Sequence, residues 1–114
     1  MKNFTVLYIA PVNMLDEWMK TPEEERKAAE MKMREEWNTW MAAHKEAVLN
    51  TIALGVTKRV SKNGIEDARN GMMLSSYVAA ESLEAAAELF KNHPHLGIPG
   101  ATIEIMETRP MSAS

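Results

Sequence analysis

Three histidines are the side chains of this 114-residue protein best suited to moving a proton. His44 sits on an apolar helical stripe one turn beyond Trp40. The partial negative charge of a helix C-terminus favours an imidazolium there, and beside a pocket such a group could serve as general base. The competing reading is a core or interface histidine bonded to a backbone carbonyl. His93-Pro94-His95 places two imidazoles just past a helix end, with proline fixing the backbone between them. Zinc would need further ligands, which without cysteine must come from His44 or carboxylates, and the spacing matches no established zinc pattern. No metal is expected; helix termination and contact with a small ligand are the readings left open. Trp37, Trp40, Met33 and Met41 could line an adaptable apolar pocket, although at helical spacing they also read as core. Tyr77 could present its hydroxyl to a ligand or satisfy it at a subunit seam. Asp67 and Arg69 fall in a polar segment where a mobile lid could carry them, or where they are simply solvated. No glycine-rich loop follows a strand, and Ser75-Ser76 has no recognisable elbow or paired base, so no nucleotide or other cofactor is expected and serine hydrolysis is not supported.

The totals narrow the setting. This length fits one domain with one core. Hydrophobic residues at 46% and charged residues at 25% describe a globular chain. With no cysteine the fold has no covalent staple, which fits a reducing compartment. Thirteen basic against sixteen acidic residues, net charge -3, offer no basic block to track a phosphate backbone, so nucleic acid is not an expected partner. The longest apolar run, Val6 to Val12, is broken by Pro11 and is far short of the roughly 20 residues that span a bilayer. Met1-Lys2-Asn3 leads straight into a strand-like run without signal-peptide features, so a cytoplasmic protein without a membrane partner is expected.

The elements that must position these groups follow from periodicity. Phe4 to Ala10 reads as a first strand, apolar on both faces and stopped by Pro11. After a linking segment, Thr21-Pro22-Glu23-Glu24 predicts a helix start with Thr21 as cap. Its stripe of Ala29, Met33, Trp37, Trp40, Met41, His44, Ala47 and Val48 runs to about Ala47, some 37 Å at 1.5 Å per residue, so one end should overhang a short strand. Leu49 to Leu54 is ambiguous. Val56 to Ser61 suits an exposed edge strand, Asn63-Gly64 a tight hairpin, and Glu66 to Gly71 a loop into a third strand at Met72 to Ala79. Ser82 caps a second helix with Leu83, Ala86, Ala87 and Phe90 on its buried side, ended by Pro94. Ala101 to Glu107 closes as a half-buried strand. The order βαββαβ is that of the α+β ferredoxin-like fold, with two helices on one face of a four-stranded antiparallel sheet. The other face is then bare and apolar, which predicts a homodimer joined sheet to sheet.

Several stretches together resemble the YCII-related proteins: Phe4 to Ala10, Trp37 to His44, Gly55 to Ser61, Ala79 to Ala86, His93-Pro94-His95-Leu96 and Thr102 to Ile105. The resemblance covers nearly the whole chain and implies a single YCII-like domain over 1–110, a flexible tail over 111–114, and pairing as a dimeric α/β barrel. Some members of that family look like lyases or dehalogenating enzymes with a histidine and an acidic residue in a cleft. The chain departs from that pattern, with Glu36-Trp37 and His93-Pro94 near the two places. Two functions stay open. One is binding of a small, partly aromatic or apolar molecule between first helix, sheet and the loop after the second helix. Cofactor-independent lyase- or isomerase-type proton transfer by His44, His93 or His95 would go with it, with Trp37, Trp40, Met41 and Tyr77 shaping the pocket. The other is a non-catalytic dimeric module that binds a metabolite or a protein.

Overall fold

The computed structural model describes residues 1–111, so the expected tail at 111–114 lies, apart from Met111, outside the described residues. Strand β1 (Lys2–Ile9) is central, because its alternation places Phe4, Val6 and Tyr8 on one face, all three fully buried. Helices α1 (Val12–Met19) and α2 (Glu23–Ala43) follow, then β2 (Val48–Ala53), β3 (Thr57–Ser61), β4 (Gly64–Ala68), β5 (Met72–Ala80), α3 (Leu83–Leu89), a 3-10 turn (Pro94–Gly97) and β6 (Thr102–Glu107). The main sheet has the order β2-β5-β1-β6 and is antiparallel throughout. Taken without β3 and β4, that is the ferredoxin-like arrangement.

Several expectations need correction. The second strand of the main sheet is β2, in the segment read as ambiguous, and not Val56 to Ser61. A register shift between Val48 and Asn50 breaks the alternation of β2, and only Val48 is buried. Of that segment, Thr57 to Ser61 instead pairs with Gly64–Ala68, read as a loop after Ile65, in a separate two-stranded hairpin. Its apolar side chains Val60 and Ile65 are exposed, so the main sheet has no claim on it. The turn lies at Lys62–Asn63, and Gly64 takes the positive φ of 128°.

The linking segment forms α1, whose end uses the Thr21 amide to bond the Trp18 carbonyl at 3.0 Å. Thr21 is therefore no cap: Pro22 occupies that position without a side-chain bond, and Glu23, Glu24 and Glu25 complement the helix dipole. Helix α2 ends at Ala43 and not at Ala47. Its first half does overhang: Ala29 is exposed, and only from Met33 onward does the stripe turn inward. The Ser82 cap is as expected, accepting from the Ala85 amide at 3.1 Å.

The chain is a slab only 19 Å thick, about one helix layer on one sheet. Phe4, Val6, Tyr8, Val78, Ala80, Ala86 and Phe90 form the core between the layers. On the far side of the sheet, half-buried Thr5 and Leu7 pair with Tyr77 and Ser75, flanked by exposed Ile52 and Met106.

The path from β4 into β5 passes so close to the end of β1 that a Cβ at Gly71 would lie 2.1 Å from the Ala10 carbonyl oxygen. The Gly71 carbonyl meanwhile accepts from the Ala10 amide at 2.9 Å. Gly71→Ala is expected to lower stability by about 2–3 kcal/mol, as overpacking against a fixed backbone does. Chemical denaturation checks this, and an unchanged midpoint would show that the two backbones are free to separate.

Candidate functional site

The three histidines divide into two that are locked and one that is free. His93 follows α3 in extended geometry and is 2% exposed. Its Nδ1 accepts the His95 amide at 3.0 Å. That nitrogen must therefore be unprotonated, and the neutral ring carries its proton on Nε2. Nε2 is buried without a hydrogen-bond partner. The ring instead stands edge to face against Trp37 and Trp40, centroids 4.3 and 4.4 Å away, where an N–H···π contact is the interaction left to it. Burial, then the neighbouring His95 and His44, push its pKa down to about 4.

His95, 1% exposed, donates from Nε2 to the Ile9 carbonyl at 2.9 Å and so ties the 3-10 turn to β1. His44 caps α2 at its C-terminus and is only half-buried. Its Nδ1 lies 2.8 Å from the Trp40 carbonyl, which can only accept, so the proton is on Nδ1 and Nε2 keeps its lone pair when the ring is neutral. The ring stacks on Trp40 at 4.0 Å and 19°.

The structure brings His44 and Trp40 to a shallow groove of about 550 Å³, lined also by Glu35, Glu36, Thr39, Ala43, Asn92 and Pro94. It is built from two neighbouring ridges of α2, 35-39-43 and 36-40-44, facing the loop after α3. Both ridges run at a spacing of four, which places them on one helix face. Glu35 and Asn92 were not singled out from sequence, and Glu36 only as part of the departure at Glu36-Trp37, although the spacing was there to read. Trp37 and Met41 pack against the core. Trp37 closes the space between α2 and the sheet, its ring 5.1 Å from Tyr8. Tyr77 is not with them: it lies on the far face of the sheet, 36% exposed, with Asn3 donating to its hydroxyl at 2.8 Å.

Beneath the helices, Tyr8, Ser76 and Thr51 form a chain of hydroxyls with separations of 2.8 and 2.7 Å. Burial raises the Tyr8 pKa, partly offset by the Ser76 bond, which keeps this phenol neutral. Ser76, weighed in the sequence only as a nucleophile and set aside, is thus the partner that lets a tyrosine lie in the core. Asp67 and Arg69 do not share a site: Asp67 pairs with Lys58 across the hairpin, and Arg69 with Asp16 of α1 at 2.8 Å. Among the described residues no group of three His, Asp or Glu could hold a metal ion, and no helix is long and apolar enough to cross a membrane.

No known family and no curated protein matches the sequence. Among solved structures the chain is similar to 5-chloro-2-hydroxyhydroquinone dehydrochlorinase from Burkholderia phenoliruptrix, in complex with 2,5-dihydroxybenzoquinone. The TM-score is 0.51, with 11% identity over 94% of this chain and 93% of that one. The likeness is one of fold, and it spans the whole domain.

The lowered pKa of His93 sets a pH dependence. Between about 4 and the ordinary histidine value of 6.5 the unfolded chain binds a proton that the folded chain refuses, so stability is full above 6.5 and is lost as pH falls toward 4. The loss is on the order of 3 kcal/mol. His93→Asn, whose amide oxygen can still accept the His95 amide, is expected to flatten that slope in urea denaturation across this range. A slope identical to that of the parent chain would place the titrating group elsewhere.

Proposed function

We propose that this chain is a YCII-like homodimer, paired through the bare sheet faces, that binds a small hydroxylated aromatic molecule in the groove beside His44. The observation that carries the reading is the hydrogen bond from His44 Nδ1 to the Trp40 carbonyl, which leaves Nε2 as the basic nitrogen of a half-exposed ring stacked on an indole. An aromatic ligand extends that stack, and a ring hydroxyl hands its proton to Nε2. Asn92 offers amide donors to the oxygen left behind, and Glu35 or Glu36 accepts from a second hydroxyl. The fold shared with a dehydrochlorinase crystallised with a dihydroxybenzoquinone supports this ligand class. Any turnover is then lyase- or isomerase-type proton transfer at His44. His93 lacks a free lone pair and His95 is held in the core, so both act as positioning residues for the loop that carries Asn92 and Pro94.

A non-catalytic binding module is the second reading, favoured by the openness of the groove, which gives a reaction little shelter from water. Thermal-shift and calorimetric titration with hydroquinones, hydroxybenzoates and small lactones tests both. A ligand at 100 times its dissociation constant stabilises by about 2.7 kcal/mol, a rise on the order of 10 °C for a domain of this size. His44→Gln is expected to keep the melting temperature within about 3 °C and weaken binding about tenfold or more. Binding that survives the substitution without any turnover supports the module; no stabilisation by any compound contradicts the ligand class.

A further inference from the structure

Two Asn-Gly pairs, Asn63-Gly64 and Asn70-Gly71, bracket strand β4, and the fold treats them differently. Asparagine followed by glycine is the pair most open to self-modification. The next amide nitrogen attacks the side-chain carbonyl carbon, and glycine has no Cβ to crowd the five-membered ring that forms. Both asparagines are exposed, so access of water does not separate them. What separates them is whether the side chain and the backbone after it can turn into the geometry of attack.

At the tip of the β3–β4 hairpin both can. Asn63 bonds through its backbone, the amide donating to Ser61 Oγ at 3.3 Å, and among the described residues its side-chain amide has no partner. A Cβ at Gly64 would meet nothing within 4 Å, so the ring has room. Gly64 pairs with Ser61 as the last rung of a two-stranded hairpin that joins no other strand. Such a hairpin is marginally stable in water and opens from its end, which releases the Gly64 amide for reaction. Attack passes through an anion, first the deprotonated amide and then the tetrahedral oxyanion. Lys62 stands next in the chain, and residues 57–68 carry three basic against two acidic side chains, an excess of positive charge that favours that anion.

At the foot of the hairpin neither can. Asn70 Oδ1 accepts from the Met72 amide at 2.9 Å, and swinging the side-chain carbon toward the Gly71 nitrogen breaks that bond. The Gly71 carbonyl accepts from the Ala10 amide, and a Cβ at Gly71 would collide with the Ala10 carbonyl oxygen, so the backbone that must rotate is wedged against the end of β1.

We infer that Asn63 is a site of spontaneous covalent modification in the folded protein, converted to aspartate and isoaspartate, and that Asn70 is protected from the same reaction. The Gly64 nitrogen forms a bond to Asn63 Cγ as the Cγ–Nδ2 bond breaks, and its proton leaves with the side-chain nitrogen as ammonia. Water then opens the ring, so one water is taken up for each ammonia released. Opening at the side-chain carbonyl gives aspartate. Opening at the main-chain carbonyl gives isoaspartate, whose main chain runs through the former side chain and is one methylene longer. That methylene breaks the Ser61–Gly64 rung, and either product cancels the excess positive charge of the hairpin.

The test incubates the folded chain at mildly alkaline pH beside the same chain in denaturing urea. Peptides are read by electron-transfer mass spectrometry, which tells aspartate from isoaspartate. In the folded chain, conversion at Asn63 is expected to exceed that at Asn70 about tenfold or more, a factor worth about 1.4 kcal/mol and within reach of one held hydrogen bond. In urea, where neither pair is constrained, the two rates are expected to converge. Asn63→Gln, whose longer side chain closes a six-membered ring far less readily, is expected to abolish modification of the tip without altering the circular dichroism spectrum. Equal conversion of the two asparagines in the folded chain refutes the protection of Asn70. Conversion of Asn63 in urea alone refutes the modification of the folded tip.

Discussion

Everything in this fold depends on burying the inward face of β1, and Tyr8 is the residue that makes the burial specific. Its ring meets Trp37 of α2, Phe90 at the end of α3, and His93 and His95 beside the 3-10 turn, with centroids 5.1 to 6.1 Å away. Aromatic pairs at such distances contribute about 0.5–1.5 kcal/mol each beyond their apolar area. The phenol oxygen would cost a comparable amount if left alone in the core, and the Ser76 and Thr51 hydroxyls remove that penalty. One side chain therefore joins β1 to two helices, to the loop after α3, to β5 and, through Ser76, to β2 beyond it.

That packing also decides which histidine keeps a ring nitrogen outside the core. His93 Nδ1 accepts from the His95 backbone amide, His95 Nε2 donates to the Ile9 carbonyl of β1, and the indoles around His93 exclude water from its unpaired Nε2. Both stay in fixed orientations that hold the loop next to α2. His44, one turn past Trp40, lies where α2 ends and the core stops covering it. Its orientation is fixed from one nitrogen only, so the other remains available. The groove beside it has an indole wall, one imidazole and an open side.

Much of the frame was legible in the residues. Both-face apolarity marked β1, Ser82 marked the start of α3, and alternation marked β6 through Ile103 and Ile105. What was missed has local physical causes. Helix α1 follows Pro11 without a side-chain cap, so no start signal announces it. The irregularity beside Leu49 hides β2, and the exposed Val60 and Ile65 give the hairpin the look of a sheet strand. Among the candidate site residues, the helical stripe grouped Trp37, Trp40, Met41 and His44 on one side of α2. The sequence left Tyr77 open between a ligand and a subunit seam, and its place on the opposite face of the sheet follows from register with β1. The lock on His93 was equally out of reach, since it is made by the backbone amide of His95.

The division of the histidines into locked and free is the claim on which the functional account stands, and long-range ¹H–¹⁵N correlation spectra of the imidazole rings test it most directly. At neutral pH the account predicts His93 and His95 as Nε2–H tautomers that do not respond to a hydroquinone, and His44 with its proton on Nδ1 and an Nε2 resonance that moves when the compound is added. A His93 protonated on Nδ1, or a His44 resonance indifferent to every aromatic ligand while His93 shifts, would contradict it.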